Sequence, residues 1–198
     1  MVLKKADAVI SLIIGFFIGV FFFVILKGIE VKIPCSWILM VVFPPLSLLG
    51  MFVVSWLGKK FLIILQIGKF LLVGAFNTFI DLGILNILIW FSGRASGVWF
   101  SVFKGFSFLI ATSNSYFWNK HWTFEKRGEI FAGKEFSKFL TVTFIGLFIN
   151  VGIASVIVNI VGPQFGISKE MWATIGAFAA TFFAWVWNFL SSKFIVFK

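Results

Sequence analysis

Asp81 is the only acidic residue inside a long apolar run of this chain, and Lys104 lies inside the run that follows. An isolated ion in an apolar medium loses its hydration with nothing to replace it, so each of these side chains needs a partner. Asn77 and Thr78 precede Asp81 by about one helical turn and share its face. Measured from the ends of their runs, Asp81 and Lys104 differ in depth by roughly 5 Å, which a lysine side chain can bridge. Two chemistries are open to them: an ion pair that pins one helix to the next, or a site for a substrate or a coupling ion. Lys104 also belongs to a stripe at helical spacing, Ser101, Lys104, Ser107, Ala111, Asn114 and Ser115. That stripe either admits a partner helix or lines a polar cleft. Gly146, Asn150 and Ala154, then Ala173, Ala177, Ala180, Ala184 and Asn188, read as faces for helix contact, as do Ser11, Gly15 and Gly19.

Reactions of other kinds find no residues. His121 is the single histidine and Cys35 the single cysteine, which leaves no metal set, no disulfide scaffold and no Ser-His-Asp arrangement. No glycine-rich phosphate loop opens a helix, and no polar segment is long enough for a nucleotide-sugar domain. Neither enzymatic activity nor a cofactor is expected.

The elements that position these residues are membrane helices. Of 198 residues 61% are apolar and 12% charged, against about 45–50% and about 25% in soluble domains; mean hydropathy is +1.08. Six runs are long enough to cross a bilayer: Ala8–Leu26, Ser36–Leu57, Phe70–Phe91, Gly97–Trp118, Phe139–Val161 and Met171–Leu190. Their hydrophobicity is continuous rather than alternating, which excludes a β-barrel. The predicted class is an all-α integral membrane protein of six transmembrane helices. No small-residue cleavage site follows the first run, so it reads as a span rather than a removed signal.

The net charge of +10 sits in short clusters between the runs, a pattern of membrane topology rather than of nucleic-acid binding. Twelve of the 17 Lys and Arg residues fall on the side of the N-terminus, and Lys27, Lys32, Arg94 and Lys169 on the other. Positive loops stay inside, so both termini are expected in the cytoplasm. Pro44 and Pro45 interrupt the second run and are compatible with a kink or a re-entrant hairpin. Five spans would give the same charge split as six; the length of Ser36–Leu57 favours six.

The last four runs contain a repeat. Lys69-Phe-Leu-Leu-Val-Gly-Ala-Phe-Asn-Thr-Phe-Ile-Asp81 aligns without gaps on Lys138-Phe-Leu-Thr-Val-Thr-Phe-Ile-Gly-Leu-Phe-Ile-Asn150, 69 residues later. The tail Ser115-Tyr-Phe-Trp-Asn-Lys120-His-Trp-Thr-Phe124 aligns on Asn188-Phe-Leu-Ser-Ser-Lys193-Phe-Ile-Val-Phe197, 73 residues later. Each copy holds two spans, so the copies are parallel, related by an axis along the membrane normal. The opening Lys69-Phe-Leu-Leu-Val-Gly74, the Asn77…Asp81 pair and the two Asn/Ser-aromatic…Lys…Phe tails resemble the GtrA-like family over about residues 61–198. Residues 1–60 then form a two-helix extension that the usual four-span member lacks, with repeats over 69–124 and 138–197.

The resemblance implies handling of a polyprenyl-phosphate-linked sugar for cell-surface polysaccharide glycosylation, with flippase-like translocation across the cytoplasmic (inner) membrane. Lys120 and Lys193 occupy equivalent places in the two repeats, at the cytoplasmic ends of spans. With Asn114 and Asn188 they are the expected holders of a lipid phosphate, which takes positive charge and amide donors. Flanking lysines also anchor ordinary membrane helices. Asn77, Asp81, Lys104 and Asn150 are then expected to line a path for the sugar or to form an ion pair. The mixed-charge loop Lys120–Lys138 and the family's fused relatives support an alternative, a non-transporting adaptor that recruits or stabilises a glycosyltransferase. A small-solute or ion transporter built on Asp81 and Lys104 is the third reading. Four spans are few to enclose a large head group, which favours a homodimer.

Overall fold

Continuous apolar sequence without water to satisfy its backbone has to close its hydrogen bonds internally, and among the described residues it does so as six α-helices. The computed structural model describes residues 3–59, 62–123 and 134–191. The helices are α1 (Lys5–Gly28), α2 (Leu39–Leu57), α3 (Leu62–Ser92), α4 (Gly97–Trp118), α5 (Lys134–Ser155) and α6 (Lys169–Ser191). A 3-10 turn over Ser36–Ile38 leads into α2, and wider π-helical stretches over Asn119–Thr123 and Val156–Val161 extend α4 and α5. Among the described residues there is no strand.

Lys5–Gly28, Ser36–Leu57, Ile63–Ser92 and Thr141–Val161 are long and apolar enough to cross a membrane. The other two helices, α4 and α6, have 22 and 23 residues, enough for about 30 Å of hydrocarbon, and are more polar because they carry the interior of the bundle. The chain is a helical membrane protein with six α-helices among its described residues.

Two boundaries differ from the sequence reading. Expected to start at Phe70, α3 starts at Leu62, since the stretch before Lys69 is apolar and free of proline. The expected loop Lys120–Lys138 is helical at both ends, over Asn119–Thr123 and from Lys134 onward; residues 124–133 lie outside the described ones. The second run is one continuous helix through Pro44 and Pro45. Each proline lacks the N–H that would bond the carbonyl four residues back, at Met40 and Val41, and the helix runs on without those two bonds.

Around the bundle, α3 packs on α4, α4 on α5, α5 on α6 and α6 back on α3, while α1 and α2 pack on each other and on the outside of α3. The α1–α2 contact rests on small residues. A methyl group added at Gly15 would meet Pro44 Cα and Ser47 Oγ, each at 2.7 Å, and one at Gly19 would meet Met40 Cα at 2.7 Å. Backbones this close exclude any side chain.

The two repeats bury matching positions. Asp81 and Asn150 are 2% and 0% exposed, and Leu85 and Ala154 are both 0%. At the 73-residue offset the same holds for Lys104 and Ala177, and for Ser107 and Ala180, all 0% exposed. Two hydrogen bonds between repeats are images of one another. Thr174 Oγ1 donates to Asn86 Oδ1 at 3.1 Å, joining α6 to α3, and the hydroxyls of Ser101 and Ser155 lie 2.6 Å apart, joining α4 to α5. Asn86 corresponds to Ser155 and Ser101 to Thr174, so one two-fold operation exchanges the two bonds.

Candidate functional site

A cavity of about 110 Å³ lies in the ring of α3–α6. Gly74, Asn77, Thr78 and Asp81 line it from one face of α3, and Ala111, Thr112, Ser115 and Asn119 from one face of α4. Asn150 closes it from α5, and Thr181 and Ala184 from α6. The spacing on α3 and α4 is that of a single helical stripe, which is why one face of each reaches the same space.

Asp81 forms the floor. Its carboxylate is ion-paired with Lys104, and both side chains are almost fully buried. Ser107 Oγ donates to Oδ1 at 2.6 Å and Thr181 Oγ1 to Oδ2 at 3.1 Å. Two other helices, α4 and α6, therefore supply the partners of one carboxylate on α3. This saturation is what a charge needs where water is absent, since breaking a buried pair costs far more than forming it returns. Apolar clusters flank the charges on both sides, one through Leu82, Leu85 and Phe100, the other through Val73, Ile80 and Ala111.

Above the floor the lining mixes apolar side chains with neutral polar ones, and a network of neutral hydrogen bonds adjoins it. Asn114 Nδ2 donates to Asn77 Oδ1 at 2.7 Å, and Trp118 Nε1 donates to Asn114 Oδ1 at 3.1 Å. Asn119 Nδ2 donates to Ser115 Oγ at 3.2 Å, and Thr123 Oγ1 donates to Asn119 Oδ1 at 3.0 Å. Three buried polar atoms have no hydrogen-bond partner among the described residues: Nδ2 of Asn77 and both Nδ2 and Oδ1 of Asn150.

The structure thus brings Asn77, Asp81, Lys104, Asn114 and Asn150 into one polar interior. Asn114 takes part in the amide network with Asn77 and Trp118. The Lys120 ammonium lies 5.8 Å from the Tyr116 ring centre, half-buried, one residue beyond Asn119 at the cavity wall. Lys193 lies outside the described residues, as does the side chain of Asn188.

Sequence reasoning missed Thr181 as a partner of Asp81. Its signal was present, one turn from Ala177 and one from Ala184 on the small face of α6. A second charged cluster was missed as well. Asp7 Oδ1 lies 2.8 Å from Lys69 Nζ and accepts from Trp122 Nε1 at 2.8 Å, while Lys69 donates to the Trp122 carbonyl at 3.3 Å. Asp7 sits one residue before the expected first span, so no search for charges inside spans finds it.

A family model described as the transmembrane domain of GtrA/DPMS matches residues 69–197. No curated protein and no solved structure matches the chain.

Proposed function

The chain belongs to the GtrA/DPMS transmembrane-domain family, and from that premise we propose that it binds a polyprenyl-phosphate-linked sugar and moves it across the cytoplasmic membrane for surface glycosylation. Membership makes lipid-linked sugar handling the frame, and the cavity supplies the reason to choose translocation. Its buried polar atoms without a partner among the described residues belong to the amides of Asn77 and Asn150, while Asp81 and Lys104 are paired with one another. A neutral, hydroxyl-bearing head group fits that surface; an inorganic ion does not. This observation carries the reading and sets it above the ion-transporter alternative. Lys120, next to the cavity wall, and its repeat mate Lys193 hold the lipid phosphate at the cytoplasmic face in this account. Both termini are cytoplasmic, and the protein performs no covalent chemistry. The adaptor reading rests on the mixed-charge stretch Lys120–Lys138, of which residues 124–133 lie outside the described ones, and on the family's fused relatives.

A liposome assay with a fluorescent polyprenyl-phosphate hexose tests the proposal. Reconstituted protein should accelerate flipping of the probe, and Lys120→Ala with Lys193→Ala should abolish the gain. Equal rates in protein-free liposomes would end the transport reading, and an unchanged rate in the double variant would end the phosphate assignment.

A further inference from the structure

Asn150 is the residue of the repeat that corresponds to Asp81, and its surroundings are inverted. Where Asp81 meets Lys104, Ser107 and Thr181, the two-fold-related positions around Asn150 hold Ala177, Ala180 and Phe108. None of those can donate or accept. The amide is nevertheless fully buried, lines the cavity, and leaves both Nδ2 and Oδ1 without a partner among the described residues. An unsatisfied buried amide is costly, and a leucine of similar size in that apolar setting would avoid the cost.

We propose that Asn150 is the specificity determinant of the cavity: its amide pairs with hydroxyls of the sugar and separates a sugar-bearing lipid phosphate from the bare lipid phosphate. The proposal rests on the reading of the cavity as the sugar site. An amide donates through nitrogen and accepts through oxygen, so a ligand that satisfies both must itself accept and donate. Hydroxyls do; a fully ionised phosphate, which only accepts, and a metal cation, which only takes lone pairs, satisfy one side each. The Asn77 Nδ2 donor on the facing helix adds to the same set. The cavity has room for several water-sized groups, the scale of one sugar ring rather than an oligosaccharide.

The test is binding of two probes to the full chain in nanodiscs, a polyprenyl-phosphate hexose and the same polyprenyl phosphate without sugar. The wild type should prefer the hexose lipid by about tenfold, the worth of one well-satisfied polar group. Asn150→Leu should reduce that preference to near onefold while keeping the affinity for the bare lipid, and its ligand-free thermal midpoint should rise. Asn150→Ala, which removes the amide without adding apolar volume, should give the same loss of preference and guards against misfolding of the first variant. A preserved preference in both variants overturns the role of Asn150 and leaves the sugar-site reading standing. A wild type that binds both lipids equally, or neither, overturns that reading and the inference with it.

Discussion

Asp7 of α1 and Lys69 of α3 form an ion pair at 2.8 Å, with each side chain under 5% exposed. Lys69 is the first residue of the family-matched region, and Asp7 belongs to the two-helix extension outside it. The extension is thus fastened to the family domain by a charge as well as by apolar packing. Trp122, in the π-helical stretch after α4, completes the fastening through its indole N–H and its ring, whose centre lies 5.4 Å from the Lys69 ammonium.

Removing one member of this pair should be worse than removing both. Lys69→Met leaves Asp7 buried and unpaired, at an expected cost of about 3–5 kcal/mol. Asp7→Asn with Lys69→Met should recover much of that loss. Thermal unfolding in detergent measures both, and a double variant no more stable than Lys69→Met would refute the pairing as a stabilising contact.

The Asp81 partners should rank by charge. Ser107→Ala and Thr181→Ala each remove a hydroxyl donor while the ion pair stays, and should cost about 1 kcal/mol. Lys104→Met strands the carboxylate and should cost about 3–5 kcal/mol. Denaturation of the purified variants gives the order; a Lys104→Met protein as stable as Ser107→Ala would contradict the described geometry.

Gly15 is the sharpest test of the α1–α2 contact. Gly15→Ala places a methyl group 2.7 Å from Pro44 Cα and should destabilise by about 1–3 kcal/mol. Gly50→Ala meets nothing within 4 Å and should be neutral or slightly stabilising. Equal melting of the two variants would mean that the helices do not approach as described.

Cys35 reports the orientation. It is the single cysteine, exposed, and lies between the first two spans. With both termini cytoplasmic, a membrane-impermeant maleimide should label it in intact cells. Labelling that appears only after the membrane is permeabilised would reverse the topology.

Much of the fold could be read along the chain because its determinants are local. Six apolar runs, a gapless repeat and the match in depth between Asp81 and Lys104 depend on spacing alone, and hydrocarbon permits the backbone little besides helix. Asn77, Asp81 and Lys104 could be picked out for the same reason: a polar residue in an apolar run stands out wherever the helix turns. Rotation and contact between distant helices are another matter. Thr181 reaches Asp81 across 100 residues and Trp122 reaches Asp7 across 115, and which polar face meets which follows from the packing of the whole ring. The repeat alignment matched Asn150 to Asp81 by residue number. Only the assembled bundle left the aspartate with three partners and the asparagine with none among the described residues, because side chains on neighbouring helices, not neighbours in sequence, decide whether a buried polar atom is satisfied.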